Sequence, residues 1–165
     1  MSIVHVRIDD RLIHGQVATM WTNQLQATRI MVIDDKAASD ETLKTSLKIA
    51  TPIGVSLSIL TAERAAERIL SNAYQGQRVL VIVRSPEVLL QLLGKGLKFD
   101  IPVNVGNLYD TKEKIVVANS IYVNRKQIKA FLDLHEQGVA FTKQLVPSHV
   151  CEDFIPLLKT AMKSL

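Results

Sequence analysis

The segment VLVIVRSPEVLLQLL, residues 79–93, joins a continuous apolar run to a stretch with helical spacing. All five residues at 79–83 are apolar, which is typical of a strand covered on both faces, as in a parallel sheet. Pro86 suits the first turn of a helix, where backbone N–H groups have no intrahelical partner. The segment therefore predicts a strand followed by a helix in a parallel α/β sheet.

The same alternation of strand and helix extends in both directions from this segment. Further strands are predicted at residues 3–8, 29–34, 55–60, 101–105 and 139–145, with short β pieces at 115–118 and 120–123. Helices are predicted to begin at the N-cap residues Ser39, Thr61 and Ser148 and to bury one apolar stripe each. Another helix, from about Arg125 to Gln137, is predicted to stop at Gly138. An earlier helix should bury Met20 and Trp21. Repeated alternation predicts an α/β fold, a three-layer sandwich with an open, mostly parallel twisted sheet and helices on both faces.

Length and composition place the chain among ordinary globular proteins. Its 165 residues suit one domain, 1–165, and 47% apolar against 22% charged residues exclude a disordered chain. The longest apolar run has five residues, far short of the roughly 20 that span a bilayer. Cys151 is the only cysteine, so no intramolecular disulfide can form. We expect a soluble protein in the cytoplasm.

The charge balance does not favour a nucleic-acid binder. The net charge is +4, from 20 Lys+Arg against 16 Asp+Glu. The cations are scattered, whereas nucleic-acid binding needs a basic patch, and 5% aromatic residues offer no stacking surface among them. A positive average charge would still attract an anionic partner or a phosphoryl group.

One loop of the predicted sheet is dense in reactive groups. Ligands of open α/β sheets bind at the carboxyl ends of the strands, and the loop after the first strand lies in RIDDRLIHGQV, residues 7–17. His14 falls near the first turn of the next helix, where free N–H groups and the helix dipole attract anions. Arg7 and Arg11 can reach an anion there, while Asp9 and Asp10 can cap the helix or orient the guanidinium groups. These are the parts that phosphoryl transfer through a histidine requires.

The residues alone leave other interpretations of this loop open. On composition alone, the more common case is a surface histidine beside arginines that pair with the two aspartates, since charged loops of this kind are common. Whether the neutral or the protonated imidazole prevails depends on the balance between arginines and aspartates. A non-enzymatic α/β protein that binds a small molecule or nucleotide is the main alternative, and a regulatory binding module is another.

The loop motif closely resembles the active-site motif of the IIB components of the bacterial phosphoenolpyruvate-dependent sugar phosphotransferase system (PTS), mannose/fructose/sorbose family. Three further segments are similar to that family, and the resemblance covers essentially the whole chain. They are VNVGN at 103–107, KTSLKIATPIGV at 44–55 and YVNRKQIKAFLDLHEQGV at 122–139. The chain is thereby identified as a member of the family, with an open, mostly parallel α/β sheet as its implied fold.

The resemblance also implies an activity, that of a protein-N(π)-phosphohistidine–sugar phosphotransferase. His14 would accept a phosphoryl group on Nδ1 from a phosphohistidine of the IIA protein. It would pass the group to a hexose-type sugar, of the mannose, fructose, sorbose or N-acetylgalactosamine class, that enters through the membrane subunits IIC and IID. Arg11 would neutralise the phosphoryl group, and Arg7, Asp9 and Asp10 belong to the same motif.

The remaining implications concern the surroundings of His14 and the partners. Gly15 and Gln16 would contribute to the phosphoryl-binding loop, and Asn104 and Gly106 would lie in a second loop beside it. No cofactor, metal ion or nucleic acid is implied. The protein would associate peripherally with IIC and IID, and the sequence leaves open whether it forms a homodimer.

Other residues that could carry chemistry have simpler explanations. His5 lies within the first strand and is interpreted as a hydrogen-bonded structural histidine. His149, Cys151 and Glu152 lack the paired spacing of a zinc site. The glycine motifs of nucleotide-binding loops are absent from the sequence, so an acidic residue after the second strand, Asp34, is read as a loop carboxylate.

Overall fold

A computed structural model describes residues 1–109 and 111–165, and the elements below are those of these residues. The strands are β1 (Ser2–Asp9), β2 (Arg29–Ile33), β3 (Ser56–Leu60), β4 (Arg78–Val83), β5 (Val103–Asn107), β6 (Ile115–Ala118), β7 (Ile121–Val123), β8 (Phe141–Lys143) and β9 (Glu152–Asp153). The helices are α1 (Gly15–Leu25), α2 (Asp35–Ala38), α3 (Glu41–Ala50), α4 (Ala62–Leu70), α5 (Pro86–Gly94), α6 (Arg125–Glu136) and α7 (Phe154–Met162).

Seven of these strands form one sheet in the order β3-β2-β4-β1-β5-β8-β9. Each neighbouring pair from β3 to β8 is parallel, and only the edge pair β8–β9 is antiparallel. Strands β6 and β7 form a separate antiparallel pair. The predicted open, mostly parallel sheet is therefore confirmed, with one antiparallel edge strand that the sequence pattern did not indicate.

Helices cover both faces of the sheet, as predicted. On β4, Leu80 and Ile82 pack in the cluster that holds Trp21 of α1 and Leu47 of α3. The alternate residues of β4 pack on the opposite face, in a cluster that includes Phe131 of α6. Since successive side chains of a strand point to opposite faces, the continuous apolar run of β4 follows from this double cover.

Two helix starts and one position expected to be buried differ from the sequence-based expectations. Helix α3 begins after Asp40, whose carboxylate accepts hydrogen bonds from two first-turn amides, and Ser39 instead ends the short helix α2. Helix α7 begins after Asp153, not at Ser148. The side chain of Met20 is exposed, because helix α1 buries Ala18, Trp21 and Thr22 instead. Thr61 and Gly138 do occupy the predicted positions at the ends of helices.

The position of β1 in the sheet places its following loop at a point of divergence. Strand β1 lies between β4 and β5. Helix α1, which follows β1, packs on one face, whereas α5 and α6 pack on the other. Adjacent strands whose connections leave on opposite faces open a crevice at their carboxyl ends, where ligands of such sheets bind.

Among the described residues, no helix is long and apolar enough to cross a bilayer.

Candidate active site

His14 ends the loop after β1 and is the N-cap residue of α1. Its backbone is extended (φ −118°, ψ 107°) and its carbonyl accepts a hydrogen bond from the Ala18 N–H at 3.0 Å. The side chain is exposed and makes no capping hydrogen bond to the helix, and the first turn of α1 carries no acidic residue. The imidazole is therefore exposed at the N-terminus of α1, where first-turn N–H groups have no intrahelical partner and the helix dipole has its positive end.

Asp9, the last residue of β1, fixes the neighbouring arginine. Its carboxylate is 1% exposed and accepts hydrogen bonds from Nε and Nη2 of Arg11 at 3.0 and 2.9 Å, and from the Arg11 backbone N–H at 3.0 Å. The hydrogen bonds to Asp9 raise the pKa of Arg11 above its usual value. Arg11 is thus a permanent cation in a bidentate contact with Asp9, and its side chain is 32% exposed.

Arg7 is enclosed, in contrast to the expectation of an arginine open to the helix mouth. Its guanidinium, 2% exposed, donates to Oδ2 of Asp9 at 3.2 Å and to the Gln144 carbonyl at 3.1 Å, and lies 5.6 Å from the centre of the Trp21 ring. Burial lowers the pKa of Arg7, an effect that the Asp9 charge opposes. Arg7, Asp9, His14 and Trp21 line one cavity of about 10 Å³. Arg7 therefore supports Asp9 from inside the fold.

Asp10 ties the loop to strand β5. Its carboxylate accepts hydrogen bonds from Asn107 Nδ2 at 2.8 Å and from the Tyr109 N–H at 2.6 Å. Its backbone carbonyl accepts a hydrogen bond from Nη1 of Arg84 at 3.0 Å. The aspartates were expected either to cap the helix or to orient guanidinium groups. Asp9 orients guanidinium groups, whereas Asp10 joins strand ends. Neither residue caps α1, because its N-cap residue is His14.

Asn104 and Gly106 lie within strand β5, not in a loop as expected. Asn104 is 1% exposed and its Nδ2 lies 3.3 Å from Nε2 of His5. A Cβ at Gly106 would overlap the Arg7 guanidinium, so glycine at this position leaves the space that Arg7 fills. These two residues shape the interior behind the loop, because both face buried groups.

His5 is a structural histidine, as interpreted from its position in β1. Its ring stacks on Trp21 with 4.5 Å between ring centres. Burial, with a smaller contribution from the Arg7 charge, lowers the pKa of His5 to about 4. The Trp21 indole N–H donates to the Leu145 carbonyl at 3.1 Å, so the ring pair joins α1 and β1 to the segment after β8.

Two open hollows flank the loop. One, of about 510 Å³, is lined by Asp10, Arg11, Asn107, Tyr109, Thr111 and Lys114. The other, of about 690 Å³, begins at Gly15 and Gln16 in the first turn of α1 and extends to exposed Met20, Ile49 and Ile53. Gly15 and Gln16, expected in a phosphoryl-binding loop, are the first two residues of α1. Among the described residues, no group of histidine, cysteine and carboxylate side chains could hold a metal ion.

Arg84 and Asp34 belong to the surroundings of the loop, although the sequence indicated only a loop carboxylate at Asp34 and no role for Arg84. Arg84 follows β4 and donates to both carboxylate oxygens of Asp34, at 3.1 and 3.3 Å. Asp34 follows β2 and is the N-cap residue of α2. Both residues come directly after buried strands, and this position is the feature by which the sequence could have indicated a site. Their contact could not be predicted without the strand order, in which β4 lies between β2 and β1.

Known proteins resemble this chain over most of its length. The family model described as "PTS system sorbose subfamily IIB component" matches residues 3–165. The fructose-specific EIIB component of Bacillus subtilis is 33% identical over 163 residues, 99% of each chain. The mannose-specific EIIAB component of Escherichia coli K12 is 37% identical over 139 residues. That match covers 84% of this chain and 43% of the relative.

A solved structure agrees with this relationship. The IIBSor domain of the sorbose permease from Klebsiella pneumoniae superimposes with a TM-score of 0.90 at 28% identity, and the match covers 97% of this chain and 98% of that one. The resemblance inferred from residues 7–17 is therefore confirmed. The fold, the matched length and the family model together show that this chain belongs to the sorbose-subfamily IIB components of the sugar phosphotransferase system.

Proposed function

We propose that His14 carries a phosphoryl group from a IIA protein to a sugar. The observation that supports this role is an exposed imidazole at the N-terminus of α1 that does not cap its helix, in the same loop as a charged, buttressed Arg11. A nucleophilic imidazole is thereby combined with a fixed cation and oriented amides.

The first transfer exchanges one nitrogen–phosphorus bond for another. An imidazole nitrogen of His14 attacks the phosphorus of the phosphohistidine on IIA while the bond to the partner's imidazole breaks. In net balance, the imidazole proton of His14 passes to the partner's imidazole. No metal ion or nucleotide is required, because a phosphoramidate is already a reactive donor, and catalysis consists of positioning and charge stabilisation.

Arg11 contributes the larger part of that stabilisation. Two unit charges about 4 Å apart interact by roughly 4 kcal/mol at an effective dielectric constant of 20. A helix terminus contributes typically about 0.3–1 kcal/mol. A phosphohistidine carries close to two negative charges, so the guanidinium outweighs the dipole of α1. Arg7 acts at one remove, through the buried carboxylate of Asp9.

The second transfer delivers the group to the sugar. A sugar hydroxyl oxygen attacks the phosphorus of phosphorylated His14, the nitrogen–phosphorus bond breaks, and the hydroxyl proton replaces the phosphoryl group on the imidazole. Relatives named for fructose, mannose, sorbose and N-acetylgalactosamine support a sugar of the hexose class. The acceptor side is formed by the membrane subunits IIC and IID, with which the protein associates peripherally from the cytoplasm.

Two features support a protein partner that covers the His14 surface. The mannose-specific relative is named EIIAB, which places A and B components in one polypeptide. In this chain, the hollow beside Gly15 and Gln16 carries the exposed apolar side chains of Met20, Ile49 and Ile53. Exposed apolar groups of this kind commonly mark contact surfaces.

The test is phosphorylation of the whole chain by its pathway. The chain is incubated with phosphoenolpyruvate, the general carrier proteins and IIA, and its intact mass is measured and mapped. We expect one acid-labile phosphoryl group on His14, no label in His14→Ala, and normal labelling in the control His149→Ala, which replaces another exposed histidine. Label on a different residue would refute the assignment. Thermal stabilisation by a small molecule without acid-labile phosphate would favour the binding-protein alternative.

A further inference from the structure

A chain of polar contacts joins four strand ends beneath the His14 loop. Asp34 at the end of β2 pairs with Arg84 at the end of β4, through Nε and Nη2 at 3.1 and 3.3 Å. Arg84 Nη1 donates to the carbonyl of Asp10, after β1, at 3.0 Å. The Asp10 carboxylate accepts from Asn107 Nδ2, at the end of β5, at 2.8 Å. The loop is thus connected to the strands on both of its sides.

The Arg84 guanidinium is held in a fixed orientation by its acidic partner. The side chain of Asp34 is 8% exposed and also accepts the Ala37 N–H of α2 at 3.0 Å. A guanidinium bound to both oxygens of a buried carboxylate has a defined plane, which aims its remaining nitrogen at one place. That place is the carbonyl of Asp10, so the orientation set at β2 is transmitted to the loop after β1.

Asp10 is therefore restrained through two different groups. Its carbonyl is bound from the β4 side by Arg84, and its carboxylate is bound from the β5 side by Asn107 and the Tyr109 N–H. Asp10 lies between Asp9, which holds Arg11, and Arg11 itself. Removal of the Arg84 contact would release the Asp10 carbonyl on the β4 side while the β5 contacts of Asp10 stay in place, so the loop backbone would be less restrained relative to α1.

We propose that Arg84, oriented by Asp34, is a positioning residue for phosphoryl transfer. It sets the backbone of the loop so that Arg11 and His14 stay in register with the incoming phosphorus, and it acts through Asp10 without contacting the phosphoryl group. This inference rests on the proposed function of His14. A misplacement of about 1 Å at a reacting centre can cost roughly a hundredfold in rate, so a backbone restraint outside the reacting atoms has a measurable effect.

The test compares Arg84→Met and Asp34→Asn with the wild-type chain in transfer from phosphorylated IIA. The turnover number should fall by about tenfold or more in Arg84→Met, with the KM for phosphorylated IIA changed by less than about twofold. The double variant should be no slower than the slower single variant, because both changes break one chain of contacts. Arg64→Met, which breaks an exposed ion pair with Glu67, is the matched control and should transfer at the wild-type rate.

A second measurement does not depend on the assignment of His14. Hydrogen exchange of the Arg11 N–H, which is bonded to Asp9, should accelerate about tenfold in Arg84→Met and not in Arg64→Met. Unchanged exchange, or unchanged turnover, would overturn the positioning role, and a raised KM with normal turnover would assign Arg84 to docking instead. Failure of the wild-type chain to label His14, with faster exchange in the variant, would count against the proposed function alone. If Arg84→Met fails to fold, the same measurements apply to Arg84→Lys.

Discussion

Asp9 is the residue on which the electrostatics of the loop depend. Its buried carboxylate accepts hydrogen bonds from the side chains of both Arg7 and Arg11. A buried charge is tolerated only when it is paired and hydrogen-bonded, and here the pairing also fixes the two cations. The side chain of Arg7 is buried, whereas about one-third of the Arg11 side chain is exposed to solvent. The two arginines of one short motif therefore occupy different environments.

At the residue scale, Arg11→Ala should slow phosphoryl transfer by about a hundredfold, since removal of one preorganised charge donor typically costs about 10²–10³ in rate. The physical reason is the loss of the exposed cation that Asp9 holds beside the imidazole loop. Single-turnover transfer from phosphorylated IIA measures the effect. Arg125→Ala, which removes an exposed arginine paired with Glu113, is the control, and equal rates in the two variants would remove Arg11 from its role.

Gly106→Ala tests the close packing against Arg7. The added Cβ would overlap the Arg7 guanidinium, and overpacking of a buried site typically costs about 1–3 kcal/mol in the free energy of unfolding. Urea unfolding measures the loss. Gly94→Ala, where a Cβ has nothing within 4 Å, should be neutral or stabilise by about 0.5–1 kcal/mol. Equal stabilities for the two variants would contradict the packing described.

At the element scale, the starts of the helices were the least predictable feature. Ser39 and Asp40 are both common N-cap residues, and the sequence pattern favoured Ser39. In the fold, the short helix α2 occupies residues 35–38, so Ser39 ends one helix and Asp40 caps the next. The N-cap predicted at Ser148 was also wrong, because the edge strand β9 occupies Glu152–Asp153 and α7 begins only after it.

Replacement of the two neighbouring residues separates these alternatives. Asp40→Ala should lower the free energy of unfolding by about 1 kcal/mol, because its carboxylate accepts the N–H groups of Thr42 and Leu43. Ser39→Ala should change it by less than about 0.5 kcal/mol, as expected of an exposed position. Chemical denaturation of both variants decides the matter, and a larger loss in Ser39→Ala would restore the original N-cap assignment.

At the scale of the whole molecule, His5 should make global stability depend on pH. The folded chain lowers the pKa of His5 from 6.5 to about 4, so the unfolded chain binds a proton first as the pH falls. The free energy of unfolding should therefore fall by up to roughly 3 kcal/mol between pH 7 and pH 4. Urea unfolding across this range should show a smaller decline for His5→Gln than for the wild type. The exposed His149→Gln is the control, and a wild-type slope in His5→Gln would contradict the prediction.

The order of elements and the reactive loop were determined by the sequence itself. Apolar runs such as residues 79–83 predict buried parallel strands, and residues 7–17 carry a family motif that places His14 after the first strand. Both are local properties, since periodicity, capping and a motif depend on residues close together in the chain. The alternation was sufficient to predict a sheet with helices on both faces.

Only the tertiary structure decided which strand ends meet at the loop. Arg84 and Asn107 contact Asp10 from positions 74 and 97 residues away, and Gly106 leaves space for a guanidinium on a neighbouring strand. These contacts follow from the strand order β2-β4-β1-β5. No local pattern specifies that order, because an apolar run predicts that a strand is buried and not which strand lies beside it. The motif at residues 7–17 was therefore sufficient to predict the reactive loop, and the order of the strands determined which residues hold that loop in place.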